Sequence, residues 1–310
     1  MKEMNGTIFA PLIYYDLLER PLTALETFKY LRAGGPEISF FGLREFLKKT
    51  DLLNRQNGLY FLPGRQALLK TRQKRLKLAQ LKWKKIKTAG RFLALSPFLR
   101  LAAVTGSLTA YNTKKASDLD LLVVLKSGRL WLGRLLLTGL VALIGQRRHG
   151  EKTQDRLCLN CYLADERLEI TADAKPRDWH AAQEYSRLAP LLEIKNEVHE
   201  NFTRQNQWLA DFLEHYPWPN GANAHKIISP TAYSFFRRSL EWLLGGTMGD
   251  GLEKFTGTWQ KKRINQKRRG EEPGRDQVFI NDECLMFHPQ SKSDKLMKEY
   301  NANIIRMNSK

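Results

Sequence analysis

Two aspartates one residue apart, Asp118 and Asp120, open the apolar run Leu121 to Leu125. Side chains alternate along an extended chain, so both carboxylates leave one face of this strand while Leu119 and Leu121 leave the other. Like charges side by side are unfavourable without a cation. Hard divalent cations such as Mg²⁺ or Mn²⁺ take carboxylate oxygens together with phosphate oxygens. Upstream, apolar Val104 leads to Gly106-Ser107. There glycine permits a tight turn, and the turn's N–H groups and hydroxyl can hold a phosphate oxygen. Lys114 and Lys115, in the connecting loop, are placed to offset phosphate charge. The layout implies phosphate chemistry with metal ions.

Val104-Thr105-Gly106-Ser107, the ten residues from Leu108 to Ser117, and Asp118-Leu119-Asp120-Leu121 together resemble the signature of the DNA polymerase beta superfamily of nucleotidyltransferases. The resemblance implies an α+β fold with a mixed sheet flanked by helices. It implies transfer of a nucleoside monophosphate from a nucleoside triphosphate (NTP) to an acceptor, with release of pyrophosphate. Asp118 and Asp120 would then hold Mg²⁺ or Mn²⁺, and Gly106, Ser107, Lys114 and Lys115 would meet the nucleotide.

The resemblance also implies a third carboxylate on a later strand. Residues 156–163 and 167–171 read as strands joined by the turn 164–166, and Glu169, between Leu168 and Ile170, is the expected position. Asp165 falls in the turn, Asp173 beyond the strand, and Asn160 is not ionisable. A carboxylate at 169 would accept the acceptor hydroxyl's proton or help hold the metal.

The chain has 310 residues and a net charge of +19, from 51 Lys+Arg against 32 Asp+Glu. Such an excess favours a polyanionic partner, most simply nucleic acid, although anionic lipid surfaces attract the same charge. Residues 1–64 read as three short helices followed by a hairpin about Asn57-Gly58, with Thr23 as a helix N-cap. This order resembles winged helix-turn-helix domains, in which Arg44, Lys48, Lys49 and Arg55 would touch nucleic acid. Many such domains bind protein instead. Residues 65–98 form a basic connecting helix, with eleven basic residues and no acid between Arg65 and Arg91. Leu69, Leu76, Trp83 and Ile86 would pack, while Arg72, Arg75, Lys82 and Lys85 would face a polyanion.

Residues 99–176 make the nucleotidyltransferase core, including a buried helix from Leu130 to Gln146. Residues 177–260 are helical in pattern and could wall an acceptor cleft. Residues 261–310 hold a basic linker, a hairpin about Asn281-Asp282 and a C-terminal helix. Cys158 and Cys161 have no second ligand pair at zinc spacing and read as structural, and His180 with Glu184 reads as a helix-packing pair. Three cysteines and a start without an apolar signal core lead to the expectation of a reduced, cytoplasmic protein. The most apolar segment, Leu130 to Ile144, is shorter than the ~20 residues that span a bilayer, so no integral membrane segment is expected.

Two functional classes follow. One is a metal-dependent nucleotidyltransferase acting on nucleic acid, protein or a small acceptor. The other is a nucleic-acid-binding regulator with an inactive nucleotidyltransferase domain.

Overall fold

The computed structural model describes residues 2–218, 222–228, 230–268, 277–288 and 290–308. The chain opens with α1 (Lys2–Leu17), buried continuously from Ile8 to Tyr15. β1 (Leu22–Thr23) runs into α2 (Ala24–Lys29), where Thr23 makes a capping box. Its hydroxyl accepts from the Glu26 amide at 3.1 Å, and the Glu26 carboxylate accepts from the Thr23 amide at 2.8 Å. In α3 (Phe40–Lys49) the cap is Ser39, and Leu43 and Leu47 turn inward. β2 (Asn54–Gln56) and β3 (Leu59–Phe61) form the expected hairpin. Asn57 and Gly58 have φ of 53° and 73°, the left-handed pair that a two-residue turn requires. The three short strands pair in the order β1-β3-β2.

The basic segment forms α4 (Leu68–Leu93), and its buried side holds Leu69, Trp83 and Ile86 of the expected apolar row but not Leu76. Leu76 is 41% exposed, whereas Arg75 and Lys82 are buried beside Ala79, Trp83, Ile86 and Ala89. Cations go inside here because the fold supplies acceptors for them, as shown below.

The chain continues through β4 (Leu99–Val104), α5 (Gly106–Thr109), β5 (Leu119–Leu125), α6 (Leu130–Leu143), β6 (Leu157–Ala164), α7 (Trp179–Tyr185) and β7 (Ala189–Glu193). It ends with α8 (Val198–Gln205), α9 (Thr231–Leu243), α10 (Thr247–Arg268), β8 (Gln277–Ile280), β9 (Cys284–His288) and α11 (Gln290–Asn308). The main sheet has the order β7-β4-β5-β6-β9-β8. Only β5 and β6 are parallel, joined through α6, so this is a mixed sheet in an α+β protein. One face packs Leu101, Ala103, Leu122 and Val124 against α1, α7 and α8 in a core that reaches Tyr300 of α11. The other packs Leu99, Leu121, Val123 and Leu125 against α4 and α6.

Several expectations are corrected. Residues 167–171 are not a strand. Only Arg167 bridges back to Ala164, and the amides of Leu168 and Ile170 donate to the side chains of Gln205 and Asn206, both at 2.8 Å, in place of a neighbouring strand. The span 177–260 contains β7, a short edge strand whose Pro190 has no N–H to offer the ladder. The helix expected to run from Leu130 to Gln146 ends at Leu143, which is 88% exposed. α9 and α10 leave Phe235, Trp242, Phe255 and Trp259 on the surface. The basic stretch after Trp259 continues α10 as far as Arg268, while its Gly/Pro end at 270–275 lies outside the described residues. The late hairpin forms and extends the sheet, with β9 pairing β6. Among the described residues no helix is long and apolar enough to cross a membrane.

Replacing Thr23 with Ala removes half of the capping box and costs α2 about 1 kcal/mol. Hydrogen exchange should read this as roughly fivefold faster exchange of the Glu26 amide.

Candidate functional site

β4 hands the chain to the motif through Thr105, whose amide donates to the Asp120 carbonyl at 3.1 Å. Gly106 follows with φ of +69°, and a Cβ there would stand 2.8 Å from Asp120 Oδ2. Glycine is therefore required twice, by the left-handed backbone and by the approach of the turn to the carboxylate. Ser107 lies in the same turn, half-buried, and its carbonyl accepts from Asn112 N at 2.9 Å.

Asp118 and Asp120 share a face at the start of β5. The β5–β6 register sets Cys158 beside Asp120, and ligand atoms of Asp118, Asp120 and Cys158 lie within 4.8 Å of one another. A register shift just past this point accompanies Asn160, whose Nδ2 donates to Asp120 Oδ1 at 3.1 Å. Asn160 Oδ1 is buried with no partner among the described residues. Arg148 Nη1 reaches Asp118 Oδ2 at 2.8 Å and Cys158 Sγ at 3.3 Å.

Burial, then the charge of Asp118 and then that of Glu184, push the Asp120 carboxyl up to about 7. Burial and the Asp120 charge push the Cys158 thiol up to about 12, so it stays protonated and is a poor ligand. Two carboxylates fit a hard divalent cation. The neutral thiol makes a soft-metal site a worse match.

The loop between turn and strand is held by α4. Arg75 donates to the Leu18 carbonyl at 2.9 Å and to Asn112 Oδ1 at 3.0 Å, and pairs with Glu19. Lys82 donates to the carbonyls of Lys115 at 3.2 Å and Ser117 at 2.5 Å, and pairs with Asp155 at 2.7 Å. Burial opposes ionisation of Asp155, but hydrogen bonds from Lys82 and Lys85 hold its carboxyl below the usual range.

Three of the expected polyanion contacts are thus turned inward. Arg72 grips Glu26 at 2.8 and 3.0 Å, Arg75 and Lys82 hold the loop, and Lys85, although exposed, pairs with Asp155. Arg44, Lys49 and Arg55 are exposed, as is Lys48, which pairs with Glu45 at 2.7 Å. Lys114 is 70% exposed and lies 3.6 Å from Glu19, and Lys115 is exposed beside it.

Glu169 does not join the aspartates. It lies in the irregular segment after β6, 49% exposed and paired with Arg177. The adjoining strand sets Cys158 and Asn160 against Asp120, and neither is a carboxylate. The additional carboxylate whose charge Asp120 feels is Glu184 of α7, itself paired with Lys175 at 2.5 Å. Its sequence signal was only a helical pairing with His180. That histidine feels the Glu184 charge and is bonded through Nδ1 to Tyr14 Oη at 2.7 Å. Arg148 had no signal beyond a polar break.

Comparison with models of known families, with curated proteins and with solved structures finds no match to the chain.

Because the folded carboxyl of Asp120 titrates near 7 rather than 3.8, the folded protein keeps a proton that the unfolded chain has lost between those values. Stability accordingly falls as pH rises through this window and levels off above it. In chelator-treated protein, Asp120→Asn should raise the melting temperature at pH 8 and have little effect at pH 4. Equal effects at both pH values would contradict the assignment.

Proposed function

We propose that this protein is a metal-dependent nucleotidyltransferase, transferring a nucleoside monophosphate from an NTP to an acceptor and releasing pyrophosphate. The observation that carries the reading is the Gly106 turn seated against Asp120, with Asp118 on the same strand face. Gly106 and Ser107 would position phosphate oxygens through the turn, and Lys114 and Lys115 would offset the triphosphate charge. Asp118 and Asp120 would hold Mg²⁺ or Mn²⁺. When bound, that ion polarises the α-phosphate and makes an acceptor hydroxyl more acidic. α4 keeps the loop in register through Arg75 and Lys82, so the lysines of the loop start from a fixed backbone.

A nucleic-acid acceptor is favoured by the net charge of +19. The N-terminal element order and its β1-β3-β2 sheet support a winged-helix reading, with Arg44, Lys48, Lys49 and Arg55 exposed for backbone contacts. Free, buried Cys158, Cys161 and Cys284 agree with a reduced, cytoplasmic setting.

The test is incubation with each labelled NTP, Mg²⁺ or Mn²⁺, and RNA, DNA and protein acceptors. Asp118→Asn and Asp120→Asn should each lower label transfer about a thousandfold or more while the fold persists. Retained turnover in both variants refutes the assignment.

A regulator with an inactive transferase domain is the second reading. It draws on Asn160 standing beside Asp120 where a further carboxylate would strengthen the metal site, and on Arg148 pairing with Asp118. Calorimetric titration with Mn²⁺ separates the two. The transferase reading expects the wild type to bind Mn²⁺ and Asn160→Asp to bind it more tightly. The regulator reading expects binding only in Asn160→Asp.

A further inference from the structure

Two cavities lie on either side of one aromatic wall. Trp83 of α4 and His225 stack with ring centroids 3.7 Å apart and planes 6° apart, and Tyr111 Oη meets His225 Nε2 at 2.8 Å. The first cavity, about 260 Å³, is walled by this trio on one side and by Ser186, Arg187 and Ala189 on another. The second, about 580 Å³, lies along α4, where the same trio meets Lys77, Lys84 and Lys87.

The first cavity's lining also carries polar side chains, among them Thr109, Ser186, Arg187 and Thr203. Aromatic walls with a few convergent polar groups are the make-up of a ligand site. At about 260 Å³ the cavity falls below the ~300 Å³ lower end for drug-sized ligands, so it suits one planar ring system.

The first cavity also lies at the reactive end of the sheet. Thr109, in the short helix begun by Gly106, lines it, as does Ala189, which pairs with Val104 at the end of β4. The lysines beyond the wall belong to the basic helix and, unlike Arg72, Arg75 and Lys82, are not committed to internal contacts. A mononucleotide would use the first cavity alone. A strand with one base in the first cavity and its backbone in the second would use both.

We propose that these joined cavities bind the end of a single-stranded nucleic acid, with the terminal base in the Trp83–Tyr111–His225 cavity and the preceding phosphates on Lys77, Lys84 and Lys87. This rests on the transferase reading in naming the strand as its acceptor, but strand binding itself needs neither metal nor NTP. Stacking holds the ring without regard to sequence.

The experiment is fluorescence anisotropy of labelled single-stranded RNA and DNA 12-mers with the full chain, in chelator and without NTP. A strand ending in an abasic sugar should bind about fivefold or more weakly than one ending in a base. His225→Ala should erase that difference. The combined Lys77→Gln, Lys84→Gln and Lys87→Gln variant, changed only at surface positions, should lose about 2 from the slope of log K against log salt, near 0.7 per phosphate contact. The proposal is overturned if the abasic strand binds equally well, if the lysine variant keeps its salt slope, or if a duplex binds as tightly. It is also overturned if NTP alone displaces the strand, which would assign the cavity to the mononucleotide. Because chemistry is silent in this assay, strand binding without later label transfer counts against the transferase reading and not against the cavity.

Discussion

Two carboxylates forced onto one face at the start of an interior strand of a buried sheet are the constraint around which this molecule is arranged. Their repulsion and the burial of Asp120 make full ionisation unfavourable, and the surrounding groups answer that problem in different ways. Arg148 neutralises Asp118, Asn160 donates to Asp120, and the Gly106 turn closes against the same carboxylate with no side chain between them. A divalent cation would answer it more completely, because it offsets both carboxylate charges at once.

The loop that separates the turn from the acids depends on cations that left the surface. A lysine or arginine enters a protein interior only when its hydrogen-bonding capacity is met and its charge is paired. Lys82 meets both conditions through two loop carbonyls and Asp155. Arg75 meets them through Glu19, Leu18 and Asn112. Arg75 thereby joins the N-terminal unit and the motif loop in one network. Removing either side chain would strand buried acceptors as well as lose a pair.

The N-terminal unit and the main sheet also share one continuous apolar core. At their junction Arg187 lies among Tyr14, Tyr15 and Tyr30. It donates to Tyr15 Oη at 2.5 Å, while Tyr15 donates to Gln183 at 2.8 Å. Because α7 carries Glu184, Arg187 follows that helix, and α1 packs against both, a shift of the N-terminal unit would be felt at the acid cluster and at the aromatic cavity. This is a packing consequence, since close-packed interiors transmit strain.

Spacing along the chain determined the strand with its paired aspartates, the glycine turn, the α2 cap, the Asn57-Gly58 hairpin and the late hairpin that pairs with β6. Each of these is a local choice, governed by periodicity, caps and turn chemistry within a few residues. Tertiary structure alone decided the rest. Residues 167–171 have strand-like alternation but found side chains of α8 and its C-cap in place of a neighbouring strand, which carried Glu169 away from the site. Ala189 to Glu193 was too short, and too close to a proline, to announce itself as an edge strand. The basic helix had cations on every side, and which of them turned inward depended on acceptors tens of residues away in sequence. The aromatic cavity draws on α4, the segment after α5, the start of β7 and the segment before α9, so no window of sequence contains it. Local rules fix what a segment can form, and long-range packing chooses its partner.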